Sequence, residues 1–354
     1  MIEPRRLLKN ISRAATNTEE RIGKVLRLDH NERTTDLPQS VLDAVWKTIK
    51  PEEVVAYPAL EGLYGKLAKS LGVARDNLLL TYGSDTAIRM VFDTYVNAGD
   101  EVISQTPSYG MFSVYTDMFG AQKVLIEYNA DFSLPVTRIT DKINVKTKLV
   151  ILADPNHTGT AMPAEDIIAV IEKAATVNAL VLVDEAYHYY YDQSMIGHLE
   201  RYSNLIIVRT LSKAFGIAPL RVGYLVSQPE NIRNLYRIKL THDITSVSAK
   251  FAEYLIDHPE VWQQHVREVN EGKAYLTREF ATLGAQVLPS VTNFVFIRLP
   301  ATIDAAALVR QLEERHIWIK GPFKGVPVDG MIRITVGPVE QMSVLMKHVR
   351  EIKA

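Results

Sequence analysis

The chain has 354 residues, 47% hydrophobic and 23% charged, which excludes a disordered or fibrous polymer and suits one large domain with a smaller companion. Lys+Arg 40 against Asp+Glu 41 leaves a net charge of −1, so no global basic field draws in nucleic acid. Cysteine is absent, so covalent chemistry falls to Ser, Thr, Lys, Asp, Glu, His or Tyr, and disulfides, Fe–S clusters and Cys-ligated zinc are excluded.

The first 21 residues are charged and lack an apolar core, and no run approaches the ~20 apolar residues needed to span a bilayer. The expectation is a cytoplasmic protein with no membrane partner. Residues 38–49 carry Val41, Leu42, Val45, Trp46 and Ile49 at helical spacing, and 61–71 repeat the pattern. Residues 77–81 read as a buried strand running into Gly83-Ser84-Asp85, then a helix over 86–96 and a strand over 101–104. A helical pattern at 108–119 precedes the apolar run 123–127, and another at 163–177 separates 148–152 from 180–183; 205–208 is a further run. Short continuous apolar strands between helices predict a mostly parallel sheet covered on both faces, an α/β arrangement. Residues 229–243 and 247–283 predict long helices. The strand, helix, strand, strand, helix order of 293–298, 304–315, 316–319, 331–336 and 338–353 predicts a separate α+β domain.

Ligand sites in a parallel α/β sheet lie beyond the carboxyl ends of its strands, which directs attention to the polar residues after each run. Gly83-Ser84-Asp85 places free N–H groups and a helix dipole where an anion could sit, although taken alone it reads equally as an ordinary N-cap. Asp184-Glu185 puts two carboxylates at a strand end, where a buried Asp calls for a cationic partner; a metal is disfavoured because no ligand spacing accompanies the pair. Thr210-Leu211-Ser212-Lys213-Ala214-Phe215-Gly216 places a lysine directly after a buried strand, where a desolvated amine can attack carbonyls, and Arg221 follows eight residues later. Singly, each has a bland alternative. Together they are the set required by pyridoxal 5′-phosphate (PLP): a Schiff-base lysine, an acid for the ring nitrogen and an anion site for the phosphate.

On these residues the sequence resembles the class I/II aminotransferases of PLP fold type I, most closely the histidinol-phosphate aminotransferase branch, from about Leu28 to the C-terminus. The segment from Asn204 to Tyr224 (NLIIVRTLSKAFGIAPLRVGY) is its most specific part, and Pro107-Ser108-Tyr109, Asp184-Glu185-Ala186-Tyr187 and Ile332-Arg333-Ile334-Thr335-Val336-Gly337 match in order. The resemblance implies a mostly parallel seven-stranded-type sheet between helices. It implies an N-terminal arm (1–37), a large PLP-binding domain (38–245) and a smaller α+β C-terminal domain (246–354). It implies Lys213 as the Schiff-base lysine, Asp184 as the partner of the pyridine nitrogen, and Tyr187 and Asn156 as donors to the cofactor's 3′ oxygen. Tyr109 would stack on the ring. Ser84, Asp85, Thr210, Ser212 and Arg221 would hold the phosphate, with Tyr57 reaching in from the partner subunit of a homodimer. Arg333 would bind the substrate, helped by Asn31, Lys320 and His157. The implied activity moves an amino group from an amino acid, or an amino-alcohol phosphate, to a 2-oxo acid; the alternative is decarboxylation, elimination, replacement or cyclisation on the same cofactor.

Three departures from the family pattern stand out. Asn-Pro-Thr-Gly becomes Asn156-His157-Thr158-Gly159 in a stretch one residue short, and aligning it on Thr158-Gly159 makes Asn156 the cofactor residue. Lys320 replaces an arginine expected near a substrate phosphate, and Arg33 replaces Asn or Pro after Asn31-Glu32.

Overall fold

The computed structural model of the chain describes residues 6–8, 11 and 22–353. Its first half runs β1 (Leu26–Arg27), α1 (Gln39–Thr48), α2 (Glu52–Val55), α3 (Glu61–Leu71), β2 (Leu78–Tyr82), α4 (Gly83–Tyr95), β3 (Glu101–Thr106), α5 (Met111–Phe119), β4 (Gln122–Glu127), α6 (Val136–Thr140), β5 (Thr147–Ala153), α7 (Ala164–Ala175) and β6 (Leu180–Asp184). Then follow β7 (Leu205–Thr210), β8 (Val222–Ser227), α8 (Pro229–Tyr236), α9 (Ser246–Asp257), α10 (Pro259–Ala281), β9 (Gln286–Val287), β10 (Phe294–Arg298), α11 (Ala305–Glu314), β11 (Ile317–Trp318), β12 (Ile332–Thr335) and α12 (Val339–Lys353).

Seven strands form the central sheet in the order β2-β8-β7-β6-β5-β3-β4. β8 runs antiparallel to both its neighbours and the other pairings are parallel. Alternation along each strand feeds two cores. Leu80, Val150, Leu152, Val181, Val183 and Ile207 face α1, α3, α7 and α9, while Leu79, Leu149, Ile151, Leu182, Ile206 and Val208 face α4, α5 and α8. Apolar cover on both faces is why the central strands read as unbroken hydrophobic runs.

A second sheet, β12-β10-β9, is antiparallel. Its inner face, with Val295, Ile297 and Ile334, packs on Leu276, Phe280, Leu312 and Leu345 of α10, α11 and α12. The N-terminal segment joins this body, because β1 pairs in parallel with β11 and Leu28 is buried in the same core.

The structure departs from expectation in three places. The helix expected over 229–243 ends at Tyr236. The single helix expected over 247–283 is two helices that meet at His258-Pro259. Proline has no N–H to give and its ring crowds the preceding turn, so it opens α10 at the first helical position rather than sitting inside a longer helix. α9 also packs its apolar face, Ala249, Phe251, Ala252 and Leu255, into the core of the large sheet, although residue 246 was expected to open the small domain. Among the described residues, no helix is long and apolar enough to cross a membrane.

Candidate active site

The carboxyl ends of β2, β6 and β7 and the loops after β3 and β5 surround one cavity. Ser84, Asp85, Tyr109, His157, Asp184, Tyr187, Thr210, Ser212, Lys213 and Arg221 line it. Ten residues singled out in the sequence, eight of them after strand ends and Tyr109 and His157 through the resemblance, therefore meet from six chain segments.

One end of the cavity suits an anion. α4 begins directly at Gly83, and neither Ser84 nor Asp85 caps it through a side chain, so its first N–H groups stay available. The Arg221 guanidinium covers this helix start: a Cβ on Gly83 would lie 2.3 Å from Arg221 Nη2. Gly83 also has φ 75°, a conformation that favours glycine. A Cβ on Gly223 would lie 2.5 Å from the Gly83 carbonyl carbon, so β8 packs tightly behind the same turn. Arg221 Nη1 donates to Ala218 O at 3.0 Å and to Ser212 Oγ at 3.3 Å. The Thr210 hydroxyl donates to Ser212 Oγ at 2.9 Å.

The opposite side carries the acid and the amine. Asp184, the last residue of β6, is buried and accepts a bond from the Ala186 N–H at 3.1 Å. Burial pushes its carboxyl up to about 7, against the pull of that N–H and of the Lys213 ammonium. Lys213 Nζ donates to Asn31 O at 3.0 Å and lies 5.7 Å from the centre of the Tyr187 ring. Burial, aided by the charges of Arg333 and Arg221, brings this amine down to about 8. The Tyr187 hydroxyl accepts from Asn31 Nδ2 at 2.9 Å, and burial raises it to about 12. The Tyr109 hydroxyl reaches Asp85 Oδ1 at 3.3 Å.

Asn31 is held by two residues to which the sequence assigned no role. Its N–H donates to Thr335 Oγ1 at 2.9 Å, and its carbonyl accepts from Asn293 Nδ2 at 3.0 Å. These bonds tie the small sheet to the site. Thr335 lies in the matched segment Ile332–Gly337 but was given no role, and Asn293, in the bend just before β10, carries no motif.

The structure places Asn156 outside the cavity lining. Its side chain is 1% exposed and fully occupied: Nδ2 donates to Tyr128 Oη at 2.7 Å and Pro107 O at 3.1 Å, and Oδ1 accepts from Ser108 Oγ at 2.8 Å. It fastens the loop bearing Tyr109 to the loop after β5 and does not line the cavity. The loop is short and tight, with Gly159 N–H bonded to Asn156 O at 2.9 Å and Asn156 N–H to Thr160 O at 2.8 Å. This turn presents the next side chain, His157, instead. Its ring lies 5.5 Å from that of Tyr109 at an interplanar angle of 20°.

Other expected residues stand farther out. Arg333, on β12, lies between the rings of Phe294 and Phe323 at 5.2 and 5.5 Å. Its Nη2 donates to Asp29 O at 3.1 Å, while Nε is buried without a partner. Lys320 is exposed and pairs with Arg333 through backbone bonds of 2.8 and 3.1 Å. Residues opposite one another in an antiparallel bridge project to one side. Arg33 lies behind the site, with its alkyl chain against Gly216. Tyr57 is 80% exposed and stacks on His242 at 4.1 Å, outside the cavity of its own chain. Glu185, the second carboxylate of the pair, is structural: its oxygens take bonds from Arg209, Ser194 and the Met195 N–H at 2.7–3.1 Å.

The donor set fits PLP on two counts. A helix start, two hydroxyls and an arginine form a receptor for a phosphate dianion. Among the described residues Asp184 has no ion-pair partner, which a protonated ring nitrogen would supply.

The family model for "Aminotransferase class I and II" matches residues 23–349. The histidinol-phosphate aminotransferase of Caldanaerobacter subterraneus subsp. tengcongensis is 33% identical, over 92% of this chain and 92% of its own length. That of Sulfurisphaera tokodaii is 32% identical, over 92% and 90%. The crystal structure of the Sinorhizobium meliloti histidinol-phosphate aminotransferase in complex with pyridoxal-5′-phosphate superimposes with a TM-score of 0.84 at 25% identity, covering 93% of this chain and 91% of that one.

Proposed function

The chain belongs to the class I and II aminotransferases and is a PLP-dependent enzyme of fold type I; within that family we propose that Lys213, Asp184 and Tyr187 form its catalytic group, that it acts on an anionic amino substrate, and that it works as a homodimer. The observation that carries the assignment is the meeting of Asp184, Lys213 and Arg221 around one cavity.

When bound, PLP supplies a carbonyl carbon that condenses with amines and a protonated ring that accepts electrons from the substrate's Cα. Lys213 Nζ, with its depressed proton affinity, would be the amine that bonds the cofactor and would hold the proton exchanged at the substrate's Cα. The Asp184 carboxylate would keep a ring nitrogen protonated. Tyr187 would donate its hydroxyl hydrogen to the 3′ oxygen, with Asn31 orienting that hydroxyl. Tyr109 would help exclude water from the site. Thr210, Ser212, Arg221 and the start of α4 would hold the phosphate.

Arg333, with an unpaired Nε and Lys320 on the same side, supports a substrate bearing a carboxylate or phosphate. The names of the relatives point to an amino-alcohol phosphate. A panel of glutamate, aromatic amino acids and histidinol phosphate with 2-oxoglutarate as acceptor tests this reading. Turnover of an anionic donor that drops by an order of magnitude or more in Arg333→Ala supports it, and equal turnover in that variant contradicts it. The homodimer is supported by the large exposed side chains of Val54, Val55 and Tyr57 and of Tyr236 and Leu240, two segments joined by the stacking of Tyr57 on His242.

A further inference from the structure

The geometry points to His157, not Asn156, as the side chain that shares the cofactor's 3′ oxygen with Tyr187. This inference rests on the reading that PLP occupies the cavity lined by Lys213. Asn156 is excluded by its own bonds: each polar atom of its amide already has a partner in Tyr128, Pro107 or Ser108. Breaking them to reach a ligand would leave buried polar groups unpaired and would release the loop that carries Tyr109.

His157 meets the requirements that Asn156 fails. Its ring lines the same cavity as Asp184, Tyr187 and Lys213. It stands edge-on to the Tyr187 ring at 5.8 Å and nearly parallel to Tyr109, so it neighbours the ring whose hydroxyl is assigned to the 3′ oxygen. Its Nδ1 is buried without a hydrogen-bond partner among the described residues, so no bond to another side chain pins the ring in place as the Asn156 amide is pinned. Burial, with Arg333 and Lys213 nearby, lowers its proton affinity to about 3 and keeps the ring neutral. A neutral imidazole carries one N–H donor, the same service that an amide offers to a phenolic oxygen. The loop one residue shorter than the family pattern thus brings a different residue to the same task, and the amide that remains becomes a fastening between two loops. His157 is then a cofactor-binding residue, with no direct role in choosing the substrate.

The test uses the PLP-loaded enzyme without substrate and follows its visible absorption with pH. A donor to the 3′ oxygen stabilises the oxyanion and lowers the pH at which the band changes. His157→Ala should raise that midpoint by about one to two pH units and weaken PLP retention in equilibrium dialysis. His157→Asn, which restores an amide donor, should bring the midpoint most of the way back. A His157→Ala enzyme with a wild-type midpoint and wild-type PLP affinity, altered only in KM for its substrates, would overturn the inference and make His157 a substrate residue. Failure of the unaltered chain to develop any visible band with PLP would overturn the underlying reading as well, so the two failures are distinguishable.

Discussion

Two ionisable side chains in the cavity hold unusual protonation states for one reason, which is that each is taken out of water without a full counter-charge. Asp184 has its carboxyl raised from 3.8 to about 7. Between those values the folded chain binds more protons than the unfolded one, so stability falls as pH rises through the window. Lys213 is lowered from 10.5 to about 8. Between about 8 and 10.5 the unfolded chain binds more protons, so stability climbs with pH there. These two groups alone therefore place a stability minimum of the cofactor-free protein between about pH 7 and 8. Asp184→Asn should remove the decline on the acid side and raise Tm at pH 7.5, while lowering turnover of the PLP-loaded enzyme on the order of 10²-fold; thermal melts across pH 4–10 and a steady-state assay check both. A variant that lost activity and stability together would show that Asp184 is a structural residue. Lys213→Ala should lower turnover by roughly 10²–10⁴-fold through loss of proton transfer, with the fold unchanged by circular dichroism.

The elements that build the phosphate end are packed without slack. α4 starts at Gly83 under the Arg221 guanidinium, and β8 presses Gly223 against the Gly83 carbonyl carbon. Gly223→Ala adds a methyl group where backbone already stands and should cost about 1–3 kcal/mol along with PLP affinity, both read from melts with and without cofactor; an unchanged affinity would show that this turn does not shape the anion site. Most of the elements could be read directly, because buried parallel strands are continuous apolar runs and the helices between them carry clear 3.6-residue patterns. β8 could not be separated this way. Its first half, Val222–Tyr224, closes the matched segment Asn204–Tyr224 and was read as motif rather than as strand, and its burial on both faces gives no alternation to mark it. The break at His258-Pro259 was visible as a proline but was overridden by apolar spacing that continues through it. The site was legible wherever a residue follows a strand end, as with Asp184 and Lys213. At Asn156-His157 the side chain that enters the cavity differs from the one expected, because its direction depends on how tightly a loop turns; Asn293 carried no signal and Thr335 drew no role, since both matter only because a second sheet folds back over the first.

At the scale of the whole molecule, Tyr57 and its apolar neighbours Val54 and Val55 stay largely exposed in one chain, and the proposed dimer would cover them. Val55→Glu with Leu240→Glu should convert the dimer to monomer in sedimentation velocity and lower PLP affinity, since each cavity would lose the partner's Tyr57; a fully active monomer would rule out shared sites. The account turns on which lysine bonds the cofactor, and the fold offers a control. Lys273 is also half-buried and brought down to about 8, yet its Nζ is committed to the carbonyls of Ser290 and Thr292 at 3.1 and 3.0 Å, so proton affinity alone does not select between them and placement does. Borohydride reduction of the PLP-loaded enzyme, followed by peptide mass mapping, decides the matter: the phosphopyridoxyl group should be found on the peptide containing Lys213, and its recovery on Lys273, or on no single lysine, would contradict the account.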